Sequence, residues 1–434
     1  MKRRFLPVLV LALLFPSFLF AQGGKEAGSV PASQKDVTVS IMSTWSGDSP
    51  GSVIFRNKLS EIDAADNGIK VDQEMIGDET SYYNKLRTRF ATGEFPNIFE
   101  DFGGARSYDY VKSGVLVDLR PYLDADPQWA NDFMNVIEDW EYSDYPGSVY
   151  GVPTAFYVVG IFYNKAIFAK LGLEPPKTIE EFTAVCDKLL AAGYIPMPLG
   201  EKDSYRAGHL LNNLVLKAYG SEAVTALGNR TLAYDDPKMI RLYKMISDFN
   251  KKGYFGPNAI NKDNSMARTD FHAGKSAMQF DGTWYLGTAA KCAIADDMGF
   301  IPFPTIDPAF AGSWQGGNNG GLSVVNTGDK QAIDKAVQVV KALTNSEFAK
   351  AQQAVNGGGI YPVKFTSDTS KVSAISIEVS KALDTSKEFR TDIQNYDINT
   401  KMLETVRMAL QGLFVGKTPE QCAQEIMTVV NAGN

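Results

Sequence analysis

One stretch near the middle of the chain limits what it can fold into. Val149 to Phe168 reads VYGVPTAFYVVGIFYNKAIF. A Gly-Val-Pro turn opens it, a run of aromatic and β-branched residues follows, and Tyr163-Asn164-Lys165 leads into a helical start. Such an apolar run, rich in Phe, Tyr and Val, fits a long buried strand and not a surface loop. Pro153 lies near its start, where a missing N–H costs least. A buried strand in mid-chain is placed to carry the backbone from one core into another.

Strands alternate with helices ahead of it. Val37 to Met42 reads as a strand, Ile54 to Ala65 as an amphipathic helix, Ile69 to Met75 as a second strand, Thr80 to Ala91 as a helix and Pro96 to Glu100 as a third strand. That alternation implies parallel βαβ units, whose ligands lie outside the carboxyl ends of the strands. Trp45 and the pair Glu100-Asp101 fall at such ends. After the central stretch, Thr178-Ile179-Glu180-Glu181 is a capping box for a helix to Ala192, stopped by Gly193. Asp236-Pro237 opens a helix ending near Gly253, residues 254–270 read as polar and irregular, and Phe271 to Gly282 reads as a strand. Thr418-Pro419-Glu420-Gln421 caps the last helix.

Met1 to Phe20 has Lys2, Arg3 and Arg4, a short Leu/Phe/Val core, then Ala21 before Gln22. This is the pattern of a secretory signal peptide. No Cys stands near the cut to take a lipid. Gln22 to Lys35 is Gly, Ser, Ala and Pro with a few charges and reads as a flexible leader. The chain of 434 residues has room for two or three units. Its formal net charge of −7 becomes −10 once the signal peptide's three basic residues go. No other basic cluster exists, so nucleic acid and anionic lipid are poor partners. Cys186, Cys292 and Cys422 are few, scattered and odd in number, and read as small buried residues. His209 and His272 are the only histidines, and neither sits in a metal-ligand pattern. No cofactor or metal is expected.

Three motifs invite a catalytic reading and fail on mechanism. Gly47-Asp48-Ser49-Pro50-Gly51 matches a nucleophile elbow, but the oxyanion donor would be the N–H of Pro50, which has none. Glu100 and Asp101 are adjacent in a strand and point to opposite faces, whereas glycosidase carboxylates face one another across a bond. Gly412 to Thr418 is one residue short of a phosphate loop and follows a helix. The aromatics carry more. Sugars offer flat C–H faces to stack on rings and hydroxyls to pair with polar groups.

Four blocks resemble a known family. They are the central Gly-Val-Pro stretch ending in Tyr-Asn-Lys, Ala277 to Trp284 (AMQFDGTW), Gly316 to Val324 (GGNNGGLSV) and Gly358 to Val363 (GGIYPV). Together, across about residues 36 to 430, they are similar to the extracellular solute-binding proteins of carbohydrate ABC transporters, the family around maltose-binding protein. The resemblance implies an α/β, two-lobed periplasmic-binding-protein fold of type II, each lobe a sheet flanked by helices. It implies three interlobe crossings near 153–156, 280–283 and 322–327. The expected division is signal peptide 1–21, leader 22–35, an N-terminal lobe of 36–153 and 284–324, and a C-terminal lobe of 154–283 and 325–434.

The implied function is that of the periplasmic binding component of an ABC sugar importer, not an enzyme. It would hold a mono- or oligosaccharide in the interlobe cleft, close over it by hinge rotation and deliver it to a permease in the inner membrane. A monomer is expected. The expected ligand platforms are Trp45, Phe156, Tyr157, Trp284, Trp314 and Tyr361. The polar partners are Glu100, Asp101, Asp203, Arg206, Asp281, Asn318 and Asn319. Trp284 matches a tryptophan that stacks on sugar in relatives, while Tyr157 stands where relatives carry a cleft carboxylate. The rival readings are a secreted carbohydrate hydrolase or lyase, and a binding protein for a polyol, sugar phosphate or peptide. We predict cleavage after Ala21 without lipid attachment. Mass spectrometry of the exported protein checks this, and an acylated mass or a mature start other than Gln22 would contradict it.

Overall fold

The computed structural model describes residues 36–432 apart from 134–136, 138, 139, 143, 319, 398 and 400, so the expected signal peptide and leader lie outside the described residues. Among the described residues ten strands run in chain order as β1 Val37–Ser43, β2 Ile69–Met75, β3 Ile98–Asp101, β4 Val152–Pro153, β5 Tyr157–Asn164, β6 Met278–Gly282, β7 Met298–Pro302, β8 Ser313–Gly317, β9 Gly321–Val324 and β10 Glu388–Arg390. They form two mixed sheets. The first has the order β2-β1-β3-β9-β4; in the second, β10-β8-β5-β6 run in sequence and β7 also pairs with β5. β1, β2 and β3 are parallel, as their helical crossovers require. β9 runs antiparallel to β3 and β4.

The central stretch is two strands, not one. Val152 and Pro153 pair with β9 in the first sheet, whereas β5 pairs with β6, β7 and β8 in the second. Residues 154–156 carry the chain between them. β5 is apolar throughout because both its faces are covered. Tyr157, Val159 and Ile161 face one core, and Val158 and Phe162 face another. Gly160 within it admits no side chain, since a Cβ there would lie 2.4 Å from the ring of Phe300.

Strand pairing and core packing divide the chain differently from the sequence expectation. Residues 284–324 were expected in the first lobe, yet β7 and β8 pair with β5 in the second sheet. Residues 325–434 were expected in the second. The helices Lys330–Thr344 and Ser346–Asn356 instead pack into the first core through Ala336, Val340, Leu343 and Phe348. The chain therefore changes sheet at 154–156, again between β8 and β9, and again between Val363 of the first core and Ile375 beside β7. The pattern of a strand does not disclose which neighbour it pairs with, and both expected boundaries failed there.

Local signals fared better. Thr178 and Glu181 make both bonds of the capping box on helix Ile179–Ala191, and Asp236 caps Pro237–Lys251. Among the helices that escaped the sequence reading, two bear on the site. Tyr205–Gly228 is buried around most of its circumference, so it shows no polar stripe. Asn264–His272, capped by Asp263, occupies part of what read as loop and strand. Trp314, expected as a sugar platform, is 1 % exposed and packs with Val158, Phe162 and Phe300. We expect Trp314→Ala to cost roughly 3–5 kcal/mol of stability, measured by denaturant unfolding. A variant of unchanged stability and weakened ligand binding would contradict the core assignment.

Candidate functional site

Four rings gather on the second sheet's side of the molecule. Tyr157 starts β5 and Trp284 follows the end of β6, and these strands are antiparallel neighbours. Their rings lie 5.4 Å apart between centroids. His209, from helix Tyr205–Gly228, lies 5.6 Å from Trp284 and 6.5 Å from Tyr157, and Tyr205 lies 5.3 Å from His209. The indole of Trp284 crosses directly over Gly282, where a Cβ would come within 2.2 Å of it. Only glycine permits that approach. Trp284 remains 43 % exposed, an unusual state for so large an apolar ring.

Charged groups brace this patch from behind. Asp281 takes a bidentate pair from Arg268, at 2.8 and 3.0 Å, and also the N–H of Gly282 at 2.9 Å. Burial raises its pKa, but Arg268 and Arg206 outweigh burial and hold it at about 2. Arg206 is fully buried, 3.9 Å from Asp281, and donates to the carbonyl of Phe280. Both residues were expected to touch ligand; Asp281 is taken up in fixing the end of β6, whereas Nε and Nη1 of Arg206 have no hydrogen-bond partner among the described residues. Asp203 accepts the N–H of Asn264, the first residue of helix Asn264–His272, at 2.8 Å.

A ring of alternating charge links the two sheets' sides. Glu79 and Arg106 come from helices Glu79–Thr92 and Ala105–Lys112, the first of which packs with Met42 and Phe99 of the first sheet. Arg407 comes from helix Met402–Phe414, which packs in the second core. Arg407 donates to Glu79 and to Asp392, each at 3.0 Å. Arg106 donates to Glu79 at 3.0 Å and lies 3.7 Å from Asp392. Gly104 approaches Asn395 so closely that a Cβ would meet its carbonyl at 2.9 Å. Asp392 also accepts from Asn212 at 2.9 Å and Gln315 at 3.1 Å, with His209 Nε2 at 3.4 Å. Burial raises the pKa of both acids. Arg407 and Arg106 pull Glu79 below the usual carboxylate range, and His209, Arg407 and Arg106 pull Asp392 far below it.

The remaining expected residues lie elsewhere. Glu100 accepts from Ser43, Thr44 and, at 3.0 Å, from Trp45 Nε1. Burial raises its pKa against those donors. Asp101 is buried and accepts from Gly103, Ser107 and Ser323. The two carboxylates thus fix the loops at the end of β3, and Trp45 packs on Phe55 at 4.7 Å. Phe156 meets Phe389 edge-on, Tyr361 accepts from Asn356 at 3.0 Å, and Asn318 is half-buried after β8. Asn319 lies outside the described residues. Sequence reasoning missed Tyr205, His209, Glu79, Asp392 and Arg407. Their order in the chain gives no hint that they meet, though the scarcity of histidine could have marked His209. Among the described residues no cluster of three or more His, Cys, Asp or Glu could hold a metal, and no helix is long and apolar enough to cross a membrane.

Two α/β halves, each on its own sheet and joined across by buried charges beside an aromatic patch, define a two-lobed ligand-binding protein. The chain belongs to the bacterial extracellular solute-binding proteins, whose family model matches residues 54–350. It is 28% identical over 231 residues to a probable sugar-binding periplasmic protein of Mesorhizobium japonicum, covering 51% of this chain and 53% of that one. It is 28% identical over 182 residues to the melibiose/raffinose/stachyose-binding protein of Bacillus subtilis, covering 42% and 38%. The chain spans about half the length of the curated relatives it matches. A solved chitin oligosaccharide binding protein superimposes with a TM-score of 0.83 at 28% identity, covering 91% of this chain and 98% of that one. The family's description names the binding of a solute and not a reaction.

The charge ring has a measurable consequence. Its acids have pKa values lowered by folding, so their contribution is complete above the ordinary carboxylate range and is lost as pH falls through the depressed folded values. Arg407→Met strands two carboxylates, and breaking a buried pair costs roughly 3–5 kcal/mol. We expect a lower melting temperature, a larger radius of gyration in small-angle scattering, and an acid transition at higher pH than in the wild type. Unchanged scattering and acid stability would show that the ring does not hold the halves together.

Proposed function

We propose that the protein is the binding component of an ABC importer for a neutral mono- or oligosaccharide. It is exported by its signal peptide, works outside the inner membrane and hands its cargo to a cognate permease. It acts as a monomer and does not bind nucleic acid. The observation that carries this reading is Trp284, an exposed indole laid over a glycine and backed by Tyr157 and His209. An exposed flat ring beside fixed polar groups suits the C–H face and hydroxyls of a sugar. The names of the relatives, which concern sugars and chitin oligosaccharide, support the same class.

The charge ring favours a neutral ligand over a sugar phosphate. A phosphate seeks free, clustered arginine, whereas Arg106 and Arg407 are each already set against Glu79 and Asp392. The two halves, each with its own core, suit a hinge motion in which they close on ligand and exclude water.

Trp284→Ala tests the assignment. Stacking contributes roughly 0.5–1.5 kcal/mol beyond burial, and covering the ring adds on the order of 1.5–3 kcal/mol. Sugar affinity should fall about a hundredfold or more, while apo stability changes by about 1 kcal/mol. Calorimetric titration and unfolding of one preparation read both. A variant that binds sugar like the wild type would remove the centre of the proposed site.

A further inference from the structure

Within the ring cluster, His209 carries a buried polar atom with no partner among the described residues. The side chain is buried, yet Nδ1 has no hydrogen-bond partner among the described residues. Leaving such a group unpaired costs on the order of 1–3 kcal/mol, so its persistence points to a partner that arrives from outside. The other nitrogen fixes what that partner must be. Nε2 lies 3.4 Å from Asp392 Oδ1. Asp392 is an anion held by Arg407 and Arg106 and cannot donate, so Nε2 carries the hydrogen. In the neutral ring Nδ1 is then an acceptor only.

We propose that His209 is a specificity-determining residue whose Nδ1 accepts a hydrogen bond from a hydroxyl of the ligand. The inference rests on the carbohydrate reading above and deepens it. Tyr157, Trp284 and Tyr205 surround the imidazole, so a sugar stacked on Trp284 brings a hydroxyl within reach of it. A group that only accepts discriminates sharply, because a deoxy, fluoro or O-methyl sugar at that position offers no hydrogen.

Protonation sets the direction of a pH effect. Burial lowers the His209 pKa, and Arg206 and Arg407 lower it further, against Asp392, which raises it. The facing Tyr157, Tyr205 and Trp284 carry no charge in this range, so the ring is neutral near pH 7. Protonating Nδ1 removes the lone pair that accepts from the ligand, and the hydroxyl must give up that bond and turn to accept instead. Affinity should therefore fall as the pH drops below the ordinary histidine range.

The test begins with thermal shift of the wild-type protein against glucose, galactose, raffinose, stachyose, maltotriose, chitin oligosaccharides and xylo-oligosaccharides. The best binder and its monodeoxy analogues are then titrated calorimetrically against wild type, His209→Phe and His209→Asn. Phe keeps the ring without the acceptor, and Asn keeps an acceptor oxygen near the Nδ1 position. We expect one deoxy analogue to lose about tenfold or more on the wild type. His209→Phe should lose as much for the parent sugar and nothing further for that analogue, and His209→Asn should recover most of the affinity and lose the acid dependence. Nitrogen NMR of the free protein should show the Nε2–H tautomer. An Nδ1–H tautomer, or equal losses for every analogue on wild type and His209→Phe alike, would overturn the role of His209 alone. Failure of every sugar in the panel to shift the wild-type melting temperature would overturn the carbohydrate reading and this proposal with it.

Discussion

Glu79, Arg106, Asp392 and Arg407 meet where the two halves of the molecule meet, and the arrangement of the rest depends on their balance. Removing a charge from water costs several kcal/mol unless a partner and further hydrogen bonds replace the solvent. Here each arginine lies against both carboxylates, and each carboxylate against both arginines. Arg407 and Asp392 are 5% and 4% exposed in their side chains, so neither can find water without the halves moving. Parting the halves would break the Arg407–Glu79 and Arg106–Asp392 pairs together. Apolar packing between the halves would tolerate small displacements. Paired guanidinium and carboxylate groups favour one register, and the close approach of Gly104 to Asn395 depends on it.

Asp392 extends that order into the aromatic patch. Its oxygens face donors from four elements: Asn212 and His209 on helix Tyr205–Gly228, Gln315 on β8, Arg407 on helix Met402–Phe414 and Arg106 on helix Ala105–Lys112. Asn213 in turn donates to Gln315 at 2.7 Å. A side chain gripped from so many directions has one rotamer, and so does the imidazole beside it. The platform under Trp284 is rigid for a related reason, since Asp281 pins the end of β6 through Arg268 and the N–H of Gly282. Rigid walls lose little conformational entropy on binding, which is how a small set of contacts yields affinity.

What could be read in the sequence divides along a physical line. Signals within a few residues survived: the capping box at Thr178, the Pro at the first turn after Asp236 and the three leading strands. Features set by the partner of a segment did not. Trp314 and Trp284 were both expected as ligand platforms, yet one lies inside a core and the other is 43 % exposed. Glu100 and Asp101 sit at a strand end, as ligand residues of such folds do, but Ser43, Thr44, Ser107 and Ser323 claim their oxygens. Tyr205–Gly228 hid because a helix buried on most sides has no amphipathic period. The charge ring hid because its members are hundreds of positions apart, from Glu79 to Arg407.

The same ring bears on what the cleft can accept. An anionic ligand near Arg106 or Arg407 would have to draw one guanidinium from two carboxylates and leave those desolvated without a counter-ion. A cation would face the mirror problem with the arginines. A neutral polyhydroxylated ligand disturbs neither pair, since it offers hydrogen-bond donors and acceptors in the proportions that a stripped water shell leaves behind. The acceptor at His209 Nδ1, the neutral indole of Trp284 and the closed account of charge at Asp392 then ask for the same thing. That is a molecule with one flat apolar face, hydroxyls at its edge and no charge.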